Sequence, residues 1–113
     1  MTVQELGTIA QSEIAIKIVL LNNGFLGMVR QWQDMFFEKR YSFTEMQNPD
    51  FIRLASAYGI EGKQVSRRKD LENGISEMLK SPKAFLLEVK VGREDNVFPM
   101  IPTGESVSNI RLE

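Results

Sequence analysis

The stretch Ile16–Phe37, IKIVLLNNGFLGMVRQWQDMFF, decides the fold. It opens on a six-residue run that is apolar except for Lys17, which fits a central parallel strand buried on both faces. Asn22-Asn23-Gly24 then makes a tight polar turn, and beyond it Leu26, Val29, Phe36 and Phe37 recur at helical rather than alternating spacing. The order is therefore strand, turn, helix. A type I′ hairpin, which Asn-Gly favours, is the competing reading, but the residues after Gly24 do not alternate as a hairpin strand requires. In an open parallel sheet, ligands sit at the carboxyl end of a strand, where the next helix presents unpaired N–H groups and partial positive charge. The side-chain oxygen of Asn23 and a backbone carbonyl just beyond it are hard donors of the kind Mg²⁺ or Ca²⁺ accepts. The local chemistry predicts a metal-bridged phosphate site.

Working outward, Thr2–Gln11 carries Val3, Leu6, Ile9 and Ala10 on one helical face, with Gly7 as its weak point. Downstream, Asn48-Pro49-Asp50 opens a helix, with Asn48 as the expected N-cap and Phe51, Leu54, Ala55 and Tyr58 as its apolar stripe. Gly59 ends it. Ile60–Ser66 reads as a short strand with Val65 inward, and a helix starting near Asp70 turns Leu71, Ile75, Met78 and Leu79 to the core until Ser81-Pro82 stops it. Ala84–Val89 is the last strand. Strands alternating with helices predict an α/β fold, a parallel sheet flanked by helices on both sides. From Gly92 the periodicity stops, and FPMIPTGES reads as an extended tail punctuated by Pro99, Pro102 and Gly104.

Composition narrows the chemistry. With 113 residues, 42% of them hydrophobic, the chain is one domain or a piece of one with a modest core. It has no cysteine and no histidine, which removes disulfides, thiolate and imidazole metal sites and every His-based triad. A net charge of −1 makes Arg67-Arg68-Lys69 an isolated basic patch rather than a nucleic-acid footprint. No run approaches a membrane span, and no basic-then-apolar signal opens the chain, so a cytoplasmic protein is expected.

The run NNGFLGMVRQWQDMFFEKRYS resembles the cofactor-binding segment of the large, catalytic subunit of acetolactate synthase, a thiamine-diphosphate enzyme. In that superfamily a Gly-Asp-Gly motif and a downstream Asn-Asn pair hold the divalent ion that anchors the diphosphate. Asn22 and Asn23 match the second half. The first half is absent, and MTVQELGT resembles the helix that follows it, so the chain is expected to be the C-terminal part of the enzyme, cut just inside the metal site. The resemblance runs from Met1 to about Thr103, and GMVRQWQ makes it specific to acetolactate synthase. It implies a partial thiamine-diphosphate-binding fold, three-layer αβα, with residues 1–91 as the C-terminal portion of that domain and 92–113 as a tail. In the family the tail lies over the active-site region; a loosely ordered terminus is the other reading.

By the resemblance, Asn23 contributes a side-chain oxygen and Phe25 a backbone carbonyl to Mg²⁺, while Asn22, Gly24, Gly27 and Met28 complete the cofactor-binding set. Asn22 itself reads as structural, and Gly24 and Gly27 serve either close approach to the diphosphate or simple turn punctuation. Met28, Val29, Trp32 and Phe36 are core residues by spacing alone, and channel residues for substrate or inhibitor by resemblance. No catalytic residue is assigned. Glu5 is not the glutamate that activates the cofactor, because in the family that residue comes from the partner subunit's pyrimidine-binding domain. The family further implies pyruvate and 2-oxobutyrate as substrates, a homodimer, a regulatory small subunit, and FAD in the full-length enzyme, not bound by this chain. The isolated chain is expected to be inactive in branched-chain amino-acid synthesis. Rival readings are a fragment of another thiamine-diphosphate decarboxylase or carboligase, and a non-catalytic, self-associating α/β domain.

Overall fold

The computed structural model describes residues 2–112. Met1 and Glu113, the outermost residues of the two expected segments, lie outside the described residues. The elements in chain order are α1 (Glu5–Gln11), β1 (Lys17–Asn22), α2 (Gly27–Phe36), α3 (Phe51–Ala57), β2 (Glu61–Val65), a 3₁₀ turn (Arg68–Asp70), α4 (Leu71–Lys80) and β3 (Phe85–Lys90). They fall into two compact units. One comprises the chain up to Asn23 with Gln47–Val91, and the other comprises Gly24–Met46 with the chain from Gly92 onward.

The first unit is an α/β layer structure. Its three strands are all parallel, in the order β1-β3-β2, with Lys17 beside Phe85 and Glu61 beside Phe85 in register. Alternation along β3 sends Leu86 to one face, where it packs with Leu6, Ala55 and Ile60 beneath α1 and α3. Phe85 and Leu87 go to the other face and pack with Val65 and Met78 beneath α4. Helices therefore cover both faces, as the alternating pattern predicts.

The structure departs from the sequence pattern at three places. The strand expected at the centre, β1, is an edge strand of the described sheet, and Val19 and Leu21 on one face of it are 52% and 69% exposed. The central strand is β3, because the order is set by pairing across the sheet rather than by the apolarity of any one strand. The N-cap of α3 is Asp50, not Asn48: its carboxylate accepts from the backbone N–H groups of Ile52 at 3.1 Å and Arg53 at 2.9 Å. On α4, Ile75 and Leu79 are exposed, and the buried residues are Gly74 and Met78. Gly74 is small enough to let the helix backbone down onto Val65 and Leu87, which rotates the expected stripe away from the sheet.

The second unit is built on α2. Residues 25 and 45 form an isolated antiparallel bridge, and the Leu26 N–H donates to the Thr44 carbonyl at 2.8 Å. From Gly92 the described chain holds no helix or strand element, only an isolated bridge between Met100 and Arg111. Side chains rather than a ladder fix this segment. Gln31, 1% exposed, donates to the Val97 carbonyl at 3.0 Å and accepts from the Val97 N–H at 2.9 Å.

Candidate cofactor-binding site

Asn22 closes β1 and is buried, so its carboxamide needs partners on both ends. Its Nδ2 donates to Glu88 Oε1 at 2.6 Å, and its Oδ1 accepts from Asn48 Nδ2 at 3.0 Å. The backbone carbonyl of Asn22 accepts from the Val91 N–H at 3.1 Å. Glu88 stands on the central strand, 1% exposed, and its second oxygen accepts from Gln64 Nε2 of β2 at 2.8 Å. Lys90 Nζ lies 2.7 Å from Glu88 Oε1. Burial pushes the Glu88 carboxyl up, but the hydrogen bonds from Gln64, Lys90 and Asn22 outweigh it and hold the group below its ordinary value. One carboxylate therefore ties all three strands together toward their carboxyl ends.

Asn23 follows directly and is half-buried. Gly24 adopts a left-handed φ of +72°, and a Cβ built there would meet no atom within 4 Å. A side chain at this position is disfavoured by backbone strain rather than by lack of room. The space beside Gly24 lets a ligand approach the backbone.

In the second unit, the Phe25 ring faces the guanidinium of Arg30 at 5.4 Å and that of Arg93 at 5.9 Å. Arg30 is buried against the Tyr41 ring at 4.6 Å, donates to the Arg93 carbonyl at 3.2 Å, and pairs with Glu94. Gly27 begins α2, which has no side-chain cap and no acidic residue in its first turn. Such a helix start suits an anion. The four residues read as core by spacing are not buried in this unit: Met28, Val29, Trp32 and Phe36 are all exposed, and Trp32 and Phe36 meet edge to face at 5.8 Å. The helix buries two polar residues, Arg30 and Gln31, and presents Met28, Val29, Trp32 and Phe36.

The donor set for an ion is made of neutral oxygens. Among the described residues no group of three or more His, Cys, Asp or Glu side chains forms a metal site. The side-chain oxygen of Asn23 and the backbone carbonyl of Phe25 are each hard donors of the kind Mg²⁺ accepts. The open side of Gly24 and the uncapped start of α2 fit a diphosphate in the same way. Sequence reading missed Glu88, Asn48, Gln64 and Lys90. The available signal was Glu88 itself, a lone carboxylate inside the apolar run Phe85–Val89, which can be buried only with partners.

A strand ending in an Asn-Asn-Gly turn and running into an uncapped helix, on a parallel sheet covered on both faces, defines a class. The chain belongs to the family described as thiamine pyrophosphate enzyme, C-terminal TPP binding domain, whose sequence model matches residues 1–89. It is 48% identical over 111 residues to the acetolactate synthase isozyme 2 large subunit of Escherichia coli (strain K12), covering 97% of this chain and 20% of that protein. It is 44% identical over 112 residues to the mitochondrial acetolactate synthase of Schizosaccharomyces pombe (strain 972 / ATCC 24843), covering 99% of this chain and 17% of that one. Among solved structures, it is similar to the thiamine diphosphate-dependent 4-hydroxybenzoylformate decarboxylase of Rhodococcus jostii RHA1, with a TM-score of 0.72 and 27% identity over 80% of this chain and 17% of that chain. The chain thus spans no more than a fifth of the length of these relatives. No helix among the described residues is long and apolar enough to cross a membrane.

Proposed function

We propose that this chain is part of an acetolactate synthase large subunit and contributes to its thiamine-diphosphate and Mg²⁺ site. The observation that carries the reading is the identity of 48% and 44% to two acetolactate synthases along nearly the whole chain, against 27% to the decarboxylase. In this reading Asn23 and the Phe25 carbonyl bind Mg²⁺, and Gly24, Gly27 and Met28 border the cofactor. Asn22 supports the turn from beneath. The exposed face of α2, with Met28, Val29, Trp32 and Phe36, lines the path of substrate or inhibitor. Residues 1–91 are the C-terminal portion of the cofactor-binding domain, and 92–113 a tail attached to it. The bound cofactor supplies carbanion chemistry that protein side chains lack. This chain's own part is to hold the diphosphate end and shape the approach to the reacting carbon.

The full-length enzyme would join a two-carbon unit from pyruvate to a second pyruvate or 2-oxobutyrate, as a cytoplasmic homodimer with a regulatory small subunit. The test is to express the full-length protein carrying this sequence and assay acetolactate formation from pyruvate. Asn23→Ala is expected to weaken Mg²⁺-dependent binding of thiamine diphosphate, while Trp32→Leu alters inhibitor sensitivity or the choice of second substrate. A protein that decarboxylates a 2-oxoacid but forms no acetolactate would overturn the reading in favour of a decarboxylase.

A further inference from the structure

Nothing in the Asn-Asn-Gly motif explains why the residue before Asn23 should be an asparagine. The geometry points to an answer: we infer that Glu88 is a positioning residue for the divalent ion, acting through Asn22 to hold the turn that carries Asn23. The inference rests on the reading of Asn23 as an ion ligand given above.

The carboxamide of Asn22 is clamped at both ends, by Glu88 Oε1 on its nitrogen at 2.6 Å and by Asn48 Nδ2 on its oxygen at 3.0 Å. Both bonds are side chain to side chain and span 66 and 26 residues of sequence, so they fix the end of β1 against β3 and against the segment leading into α3. A carboxamide held by one donor and one acceptor has a single orientation. Its own backbone carbonyl is held by Val91, so the last residue of β1 is constrained through both side chain and main chain. The next residue is Asn23. An ion ligand is useful only when its oxygen is held within a few tenths of an ångström, and partners behind a ligand typically govern affinity by 10- to 100-fold.

Glu88 is itself over-determined. Gln64 occupies its second oxygen at 2.8 Å, and Lys90 lies 2.7 Å from the oxygen that receives Asn22. A plain structural salt bridge would not require this arrangement, because Lys90 is half-exposed and could be satisfied by water. Of the three partners of Glu88, Gln64 and Lys90 are exposed and only Asn22 is buried, and Asn22 is the residue beside the proposed ligand. Substitution by glutamine preserves volume but replaces one accepting oxygen with a donor, so Asn22 and Gln64 can no longer both donate to it.

The experiment is titration of thiamine diphosphate with Mg²⁺ into the full-length protein, followed by intrinsic fluorescence well below the melting temperature. The variants are Asn23→Ala, Glu88→Gln, Glu88→Ala and Asn48→Leu, each with its thermal midpoint measured without cofactor. Asn23→Ala and Glu88→Ala are expected to raise the dissociation constant about 10-fold or more, Glu88→Gln and Asn48→Leu less. A merely structural role would lower the midpoint and leave the dissociation constant of the folded protein unchanged. If Asn23→Ala weakens binding and the Glu88 and Asn48 variants do not, the positioning role is overturned and the cofactor reading stands. If Asn23→Ala also has no effect, that reading falls and this inference with it. Should Glu88→Ala fail to fold, Glu88→Gln and Asn48→Leu carry the test.

Discussion

Gln31→Ala is expected to release the segment after Gly92 from α2 while leaving the three-stranded sheet folded. The side chain makes two direct bonds to the backbone of one residue, donating to the Val97 carbonyl at 3.0 Å and accepting from its N–H at 2.9 Å, with Met100 Sδ a third neighbour at 3.3 Å. Two ordinary hydrogen bonds contribute about 1 kcal/mol each. Val97 is 60% exposed, so water re-satisfies its backbone once the glutamine is gone and little desolvation penalty adds to that loss. The local opening free energy should fall by about 2 kcal/mol, which raises the open population roughly 30-fold. Hydrogen exchange resolved to peptides reads this directly: amides from 93 to 101 should exchange about 30 times faster, with amides of Phe85–Lys90 unchanged. Gln31→Glu keeps an acceptor for the Val97 N–H but sets a buried carboxylate oxygen against the Val97 carbonyl, and should open the segment at least as much as the alanine does. Unchanged exchange in Gln31→Ala would refute the idea that this side chain anchors the segment, and equal acceleration in β3 would show that the effect is global.

The remaining predictions concern packing, charge and association. Gly74→Ala should destabilise, because its Cβ would lie 2.8 Å from Val65 Cγ2 and 3.2 Å from Leu87 Cδ1, and about 1–3 kcal/mol of overpacking exceeds the roughly 1 kcal/mol of helix propensity gained. Gly7→Ala, whose Cβ would meet Tyr58 Cε1 at an ordinary 3.6 Å, should instead stabilise by up to about 1 kcal/mol; urea midpoints moving in the same direction for both would contradict this. Glu88 has a folded pKa held below its ordinary value, so its ionised form stabilises the fold above the unfolded pKa of about 4.3 and that stability is lost as the pH falls through the lower folded value. The stability gap between wild type and Glu88→Gln should therefore narrow on acidification below about pH 4.3, and a gap independent of pH would count against the ionised clamp. The chain purified alone is expected to be a dimer or larger, since β1 is an open edge with Val19 and Leu21 exposed, and light scattering showing a monomer over a wide concentration range would rule that out.

The elements of this chain were legible because their signals are local. Helical spacing found α2, a left-handed Gly59 marked the end of α3, and Asn22-Asn23-Gly24 separated a strand from a helix without reference to any distant residue. What distant residues decide was not legible. The apolar spacing of α2 reads as a core face, yet Met28, Val29, Trp32 and Phe36 are exposed, because Arg30 and Gln31 find partners in residues more than 60 positions away. The position of the N-cap of α3 shifted for a smaller reason: Asn48 and Asp50 are both good caps, and Asn48 is engaged by Asn22.

Strand order is the instructive case. Ile18–Leu21 is the purer apolar run, and apolarity alone places it at the centre of the sheet, whereas Phe85–Lys90 carries a glutamate and reads as the lesser strand. The glutamate argues the opposite once its chemistry is followed. A carboxylate in an apolar strand is tolerated in the interior only when donors reach both of its oxygens, and on a sheet the nearest donors come from the two neighbouring strands. Glu88 meets that requirement with Asn22 from β1 on one oxygen and Gln64 from β2 on the other. An edge strand has a neighbour on one side only, so carboxamides from two different strands could not flank it. A buried, doubly satisfied glutamate therefore marks β3 as the middle strand, and the same residue that settles the topology is the one that reaches beneath the Asn22-Asn23 turn.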